Sequence, residues 1–136
     1  MGRKVKRNTS NKAPEFISSH RYARISPPKA RLIADQVRGL SVDEAMQLLK
    51  FSTRRGAQFV DKVLKSAVAN ADQAIDEGRV DEDALFDMED LYVHEARVDA
   101  GPSFRRWRPR ARGMAYPIIK RTAHIVIKLR PLAQTS

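Results

Sequence analysis

Residues 91–129 read LYVHEARVDAGPSFRRWRPRARGMAYPIIKRTAHIVIKL, and this stretch decides the fold. Near its end, Ala123, Ile125, Ile127 and Leu129 alternate with polar neighbours, which predicts a strand with one buried face. Residues 91–100 form a second candidate strand. We expect the two strands to pair as a hairpin, with GPSFRRWRPRARG at residues 101–113 between them.

The segment between the strands predicts an arm that lies outside the core. It contains no acid and five arginines, namely Arg105, Arg106, Arg108, Arg110 and Arg112. From His94 to Arg108 the chain takes 14 residue steps, which reach roughly 45 Å at ~3.3 Å each. That reach is about three times the radius of gyration of roughly 14 Å expected for a globule of this length. Five guanidinium groups also cannot be buried without partners.

The side chains of the arm are suited to nucleic acid. Arginine binds phosphate oxygens in bidentate fashion and stacks on bases. Phe104, Trp107 and Tyr116 interleave with the charges and can stack on unpaired bases. Because an isolated two-stranded ribbon is marginal in water, we expect a partner to order the arm. A solvated, disordered basic loop is the alternative for the free protein.

Upstream of the arm the sequence predicts a strand at residues 16–25 and then three helices. Ser26 and Pro27 suit the start of the first helix, and Gly39 its end. Ser41 and Glu44 have capping-box spacing for the second. The third begins near Ser52 or Thr53 and frays near Gly78. The three predicted buried faces are Ala30, Ile33, Ala34 and Val37; Val42, Ala45, Met46 and Leu49; and Val60, Val63, Leu64, Ala67, Val68 and Ala71.

A chain of 136 residues favours one domain. We predict a disordered basic tail at residues 1–15 and a single globular domain at residues 16–130. The domain carries a hairpin arm at about residues 91–129, and residues 131–136 form a short C-terminal tail. Residues 85–90 are expected to be a connection.

The charge distribution points to a polyanionic partner. The net charge is +10, and residues 72–95 hold ten of the 16 acids with Arg79 as the only strong base. The other 112 residues therefore carry 25 bases against six acids. Such segregation into a basic body and one acidic connection is typical of nucleic-acid binding rather than of simple solubility.

Cations also occupy unusual positions at predicted helix starts. Lys29 and Arg31 lie in the first turn of the first helix, and Arg54 and Arg55 open the third. Each opposes the helix dipole at a cost of ~0.3–1 kcal/mol. A basic side chain at a helix N-terminus is a natural phosphate site, whereas tolerated surface charge is the simpler alternative.

Several classes of site have no support in the sequence. The chain lacks cysteine, so it has neither disulfides nor thiolate metal sites. His20, His94 and His124 lack metal-ligand spacing, although His94 and His124 could face each other across the base of the hairpin. No apolar run approaches ~18 residues, and residues 1–6 lack a secretion signal. We therefore expect no metal, no cofactor, no membrane and no catalytic residue.

Several motifs in order resemble one family. They are Lys29-Ala30-Arg31-Leu32-Ile33 through Val37-Arg38-Gly39, Ser66-Ala67-Val68-Ala69-Asn70-Ala71, Gly101-Pro102 with the arginines after it, and Lys120-Arg121-Thr122-Ala123-His124-Ile125. From about His20 to Leu129 the chain closely resembles the family of the universal large-subunit ribosomal protein twenty-two. It departs from that family before His20, in the longer acidic connection and at Trp107.

The resemblance implies an α+β fold, with three helices packed on a small antiparallel sheet and a long protruding β-hairpin arm. It implies a cytoplasmic structural protein of the large ribosomal subunit that binds 23S-type ribosomal RNA, supports subunit assembly and contacts neighbouring ribosomal proteins. The hairpin tip of that family, which corresponds to residues 103–112 of this chain, lines the peptide exit tunnel near a loop of ribosomal protein four, where the nascent peptide passes.

We combine charge, position and resemblance into two predicted sets of site residues. The RNA-binding set is Arg21, Arg24, Lys29, Arg31, Arg38, Arg54, Arg55, Arg97, Arg105, Arg106, Arg108, Arg110, Arg112, Lys120, Arg121 and His124. The tunnel-facing set is Phe104, Arg105, Arg106, Trp107 and Arg108.

Two alternative functions fit the sequence less well. A helix-turn-helix DNA-binding regulator would use the first two helices around Gly39, but Asp43, Glu44 and Gln47 would then face the DNA groove, which they suit poorly. A small RNA-processing enzyme would need a metal or an acid–base constellation that the sequence does not display.

Overall fold

The structure is a computed structural model that describes residues 14–80 and 88–132. Its elements in order are β1 (Phe16–Ala23), α1 (Pro27–Val37), α2 (Val42–Phe51), α3 (Arg55–Asp76), β2 (Leu91–Ala100), β3 (Phe104–Pro109), β4 (Ala115–Lys120) and β5 (Ala123–Pro131), with short 3-10 turns at Met88–Asp90 and Ala111–Gly113. The α+β expectation is confirmed. Most of the predicted tails and part of the predicted connection lie outside the described residues.

The body is built on a three-stranded antiparallel sheet in the order β1-β5-β2. The predicted pairing of the two flanking strands is confirmed, since β2 and β5 run in register from Leu91 opposite Pro131 to Ala100 opposite Ala123. Ile125, Ile127 and Leu129 are almost fully buried, as their alternation predicted. A β-bulge falls between Val93 and Glu95.

The helices cover one face of this sheet: α3 packs on β1 and β5, and α1 packs on β2. Ile33, Val37, Val60 and Leu64 have no exposed surface and form the layer between helices and sheet. Met46 and Val68 were predicted to be buried with the other residues of their helix faces. Both lie at the margin of this core and are only partly buried.

The ends of the helices follow local signals. Ser41 and Glu44 form the predicted capping box, with hydrogen bonds of 3.3 and 3.2 Å. Gly39 has φ +84°, and its N–H donates to the Val93 carbonyl at 2.9 Å, which ties the turn after α1 to β2. The predicted start of α3 near Ser52 or Thr53 is too early, because Ser52 is extended and caps the C-terminus of α2.

Beyond the body the chain continues as a two-stranded ribbon, which we define as β3, the turn at residues 110–114 and β4. Phe104 lies opposite Lys120 at its root, and Pro109 lies opposite Ala115 before the turn. Arg110 N–H donates to the Met114 carbonyl at 2.7 Å, and Arg112 and Gly113 adopt positive φ. Every ribbon residue from 104 to 120 is exposed, so the arm lies outside the core. The predicted tip, 103–112, covers β3 and the first part of the turn.

Candidate nucleic-acid interface

A cleft of about 690 Å³ lies between the starts of α1 and α3 and the root of the ribbon. We call it the cationic cleft. Six basic residues line it: Arg24, Lys29, Arg54, Arg55, Lys120 and Arg121. All six belong to the predicted RNA-binding set. The fold therefore brings together residues that are almost 100 positions apart in sequence.

Both helix starts contribute to the cleft without acidic neighbours. Neither α1 nor α3 has an acid in its first turn, and neither Ser26 nor Arg54 caps its helix with a side-chain hydrogen bond. The positive ends of two helix dipoles thus add to the side-chain charges. Gly56 permits this approach, because a Cβ there would lie 3.3 Å from Ile33 Cγ1 and 3.5 Å from the Lys29 carbonyl oxygen.

An aromatic contact joins the cationic cleft to the ribbon. The Arg24 guanidinium lies over the Phe104 ring, 5.4 Å from its centroid. Phe104 is the register partner of Lys120, which also lines the cleft. The family resemblance placed Phe104 at the tip of the arm, whereas the structure places it at the root, beside the helix starts.

Further along the ribbon the surface is basic and aromatic. The five arginines of the arm and Trp107 are exposed, Trp107 by 67% and Tyr116 by 49%. Residues 101–121 contain no acidic side chain that could pair with these arginines. The ribbon can therefore offer its guanidinium groups and rings to an external polyanion.

Three predicted RNA-binding arginines have partners on β2 within the protein. Arg31 Nε donates to the Val98 carbonyl at 3.1 Å, and Arg38 donates to the Ala96 carbonyl at 2.6 Å. Arg38 also pairs with Asp35 at 3.0 Å. Arg97 pairs with Asp99 at 3.1 Å and with Glu95 at 3.6 Å. The contacts of Arg31 and Arg38 hold α1 on the sheet, and those of Arg97 balance the acidic side chains of β2. None of the three residues lines the cationic cleft.

The surroundings of Glu95 lower the pKa of its carboxyl group. A hydrogen bond from Lys128 Nζ, 2.5 Å from Glu95 Oε2, lowers its pKa below the ordinary value of 4.5, against a smaller opposing effect of burial. The nearby charges of Lys128 and Arg97 act in the same direction as the hydrogen bond. Glu95 is therefore held as a carboxylate that ties β2 to β5.

The two histidines near the arm do not face each other, so that expectation is wrong. Asp99 lies opposite His124, while the bulge leaves His94 without a register partner. His124 Nδ1 accepts the Tyr22 N–H at 3.0 Å, and the two rings meet edge to face at 4.9 Å. His94 lies beside the Tyr92 hydroxyl at 3.3 Å. Arg21 is exposed within the irregularity of β1 between His20 and Ala23.

Neither a metal site nor a membrane-spanning helix is found in the described part of the chain. Among residues 14–80 and 88–132, no group of three or more His, Cys, Asp or Glu side chains could hold a metal ion. Within the same residues, no helix combines the length and the apolar character needed to cross a membrane.

Comparison with known proteins identifies relatives of the chain. The model of the ribosomal protein L22p/L17e family matches residues 18–130. The chain is also similar to the large ribosomal subunit protein uL22 of Ligilactobacillus salivarius (strain UCC118). The two are 53% identical over 104 residues, which cover 76% of this chain and 83% of that protein.

Proposed function

The chain belongs to the ribosomal protein L22p/L17e family, and from that membership we propose that it binds large-subunit ribosomal RNA through the cationic cleft and the ribbon. It is a structural protein of the large subunit of the cytoplasmic ribosome, in a family of ribosomal proteins rather than enzymes. In our proposal it supports subunit assembly, and the end of its ribbon lines the peptide exit tunnel.

The convergence of six cations at two helix N-termini carries the proposal of RNA binding. Phosphate oxygens are the groups that such a site fits, because backbone N–H groups, the helix dipoles and guanidinium forks all favour an anion. Lys29 and Arg55 would weaken their own helices through the dipole. A phosphate in the cleft removes that conflict, since it is attracted by the dipole and the side chain together.

The ribbon supports both parts of the proposed function. Its exposed arginines and rings suit RNA, and its length carries the turn at residues 110–114 away from the core. A protein that only needed to attach its body to RNA would have no use for this extension. We propose that the turn and the adjoining strand ends reach the tunnel wall, where neighbouring ribosomal proteins and the nascent peptide are the further partners.

The helix-turn-helix alternative is disfavoured by α2 itself. A recognition helix contacts base edges with its N-terminal residues. In α2 that end carries Asp43 and Glu44, and Glu44 is committed to the capping box with Ser41. Carboxylates at this position would repel the phosphates that flank a groove.

RNA binding is tested by the salt dependence of affinity for a transcript of large-subunit ribosomal RNA. Lys29→Ala/Lys120→Ala removes two charges from the cationic cleft. Lys50→Ala/Lys62→Ala removes two exposed lysines from elsewhere on the body and is the matched control. We expect the cleft variant to flatten the slope of log K against log salt by roughly 1.4–1.8, at 0.7–0.9 for each lost phosphate contact. Equal slopes for both variants would refute the cleft as the site.

A further inference from the structure

We propose that the ribbon is two-sided: one face continues the cationic cleft into a single RNA-binding track, and the other face is turned away from the RNA. The basic face consists of Phe104, Arg106, Arg108, Tyr116, Ile118 and Lys120. The apolar face consists of Arg105, Trp107, Pro109, Ala115, Pro117 and Ile119. This inference rests on the proposed function and deepens it, because it states which ribbon side chains contact RNA.

The two faces follow from the strand register. Successive side chains of a strand point to opposite faces, and residues directly opposite in an antiparallel pair share a face. Arg106 lies opposite Ile118 and Arg108 opposite Tyr116, whereas Trp107 lies opposite Pro117 and Arg105 opposite Ile119. The five arginines of the arm are close together in sequence, but the register separates neighbours such as Arg105 and Arg106. We therefore take Arg105 out of the RNA-binding set that the sequence predicted.

The chemistry of the faces differs in charge and in aromatic character. The basic face holds three cations, Arg106, Arg108 and Lys120, together with two rings that remain about half exposed, Phe104 at 41% and Tyr116 at 49%. Guanidinium groups bind phosphates and aromatic rings stack on unpaired bases, so this combination suits single-stranded RNA. The apolar face has Arg105 as its only cation beside two prolines, Ile119 and Trp107.

Continuity with the cationic cleft decides which face meets the RNA. The first pair of the basic face is Phe104 with Lys120. Lys120 lines the cleft, and Arg24 from the cleft lies over the Phe104 ring. An RNA strand bound in the cleft therefore meets Arg106 and then Arg108 next, about 6.6 Å apart along the strand. The first pair of the apolar face is Arg105 with Ile119, and neither residue lines the cleft.

Arg105 and Arg106 provide a matched test, since they are the same residue type at adjacent positions on opposite faces. With the large-subunit RNA transcript, we expect Arg106→Ala to lower the salt slope by roughly 0.7–0.9 and Arg105→Ala to leave it unchanged. Arg108→Ala should resemble Arg106→Ala. Equal losses at positions 105 and 106, or no loss at either, would overturn the two-sided ribbon. If the wild-type protein did not bind the transcript at all, the proposed function itself would fail.

Trp107 supplies a second and independent measurement, because it is the only tryptophan of the chain. Its emission therefore reports on the apolar face alone. We expect quenching of Trp107 by the neutral quencher acrylamide to be the same with and without bound RNA transcript. Strong protection of Trp107 on binding, at saturating RNA, would place the apolar face against the RNA and overturn the assignment.

Discussion

Gly101 and Thr122 lie against each other where the ribbon leaves the body. The Gly101 N–H donates to the Thr122 carbonyl at 2.9 Å, and a Cβ on Gly101 would overlap the Thr122 hydroxyl. That hydroxyl is buried and donates to the Pro102 carbonyl at 2.6 Å. A Cβ at Gly101 would also lie 3.3 Å from the ring of His124. The junction has no spare room, so the body fixes the direction in which the ribbon starts.

We predict that Gly101→Ala destabilises the free protein by ~1–3 kcal/mol, as overpacking of a tight site does. Urea denaturation measures this loss. Thr122→Ala removes the overlapping hydroxyl, so the double variant should lose less than the sum of the two single variants. Strict additivity would show that the two side chains do not compete for the same space.

The core prediction concerns Leu64, which has no exposed surface in the middle of α3. Leu64→Ala should cost ~2–5 kcal/mol, because it removes buried methyl groups and leaves a cavity. Leu32→Ala is the matched control, since Leu32 lies on α1 and is 52% exposed. Thermal or urea unfolding compares them. Similar losses for the two variants would mean that the helices do not pack on the sheet as described.

Arg38 and Arg24 should separate stability from RNA binding. Because Arg38 donates to the Ala96 carbonyl of β2, Arg38→Ala should lower the free energy of unfolding by about 1 kcal/mol, the typical net value of a hydrogen bond, and barely change the RNA salt slope. Arg24→Ala should do the reverse, since Arg24 lines the cationic cleft. An equally flattened slope in both variants would show that Arg38 contacts RNA as well, as the sequence predicted.

This pair illustrates what sequence can and cannot predict here. The alternation from Ala123 to Leu129 predicted the central strand, because a period of two residues is typical of a strand with one buried face. Arg38 was predicted to bind RNA, and in the structure its guanidinium group donates to the Ala96 carbonyl. Which acceptor it meets depends on how α1 packs on β2, and a single sequence does not display that packing.

The position of the turn escaped sequence reasoning for a related reason. The family resemblance placed the tip at residues 103–112, whereas the ribbon turns where strand pairing ends, after Pro109 opposite Ala115. The positive φ of Arg112 and Gly113 reverses the chain there. The cationic cleft was likewise predicted residue by residue but not as one site, because its assembly depends on the close approach of α1 and α3 at Gly56.

Acid should weaken the tie between β2 and β5. Lys128 holds the folded-state pKa of Glu95 below its ordinary value of 4.5. The Glu95 carboxylate therefore binds a proton more weakly in the folded protein than in the unfolded chain. The contribution of the Glu95–Lys128 pair to the free energy of unfolding is therefore complete above about pH 4.5. It is lost as the pH falls through the pKa that Glu95 has in the folded protein. We expect the stability difference between wild type and Lys128→Met to shrink between about pH 7 and about pH 3 in urea titrations. A difference that stays constant over that range would contradict the pairing.

The last prediction concerns the proposed tunnel wall, and the register dictates how to shorten the ribbon. Deleting Arg108 and Pro109 together with their partners Tyr116 and Ala115 removes two complete pairs. The turn then follows Trp107 opposite Pro117 and retreats by roughly 6.6 Å. Because two residues leave each strand, every remaining side chain keeps its face. Deleting Phe104 to Arg106 from one strand would instead shift the register by an odd number and turn later residues of β3 to the other face.

We expect ribosomes with the shortened ribbon to contain normal amounts of large subunit but to show an altered tunnel, because the cationic cleft and the remaining basic face still hold the RNA. Subunit profiles measure assembly, and footprinting of a macrolide in the tunnel, together with peptide-dependent stalling, measures tunnel shape. Arg108→Ala/Tyr116→Ala is the control, since it removes the same side-chain chemistry while it keeps the length. Loss of assembled large subunits would show that the end of the ribbon is an assembly anchor. An unchanged footprint with normal stalling would show that it does not shape the tunnel.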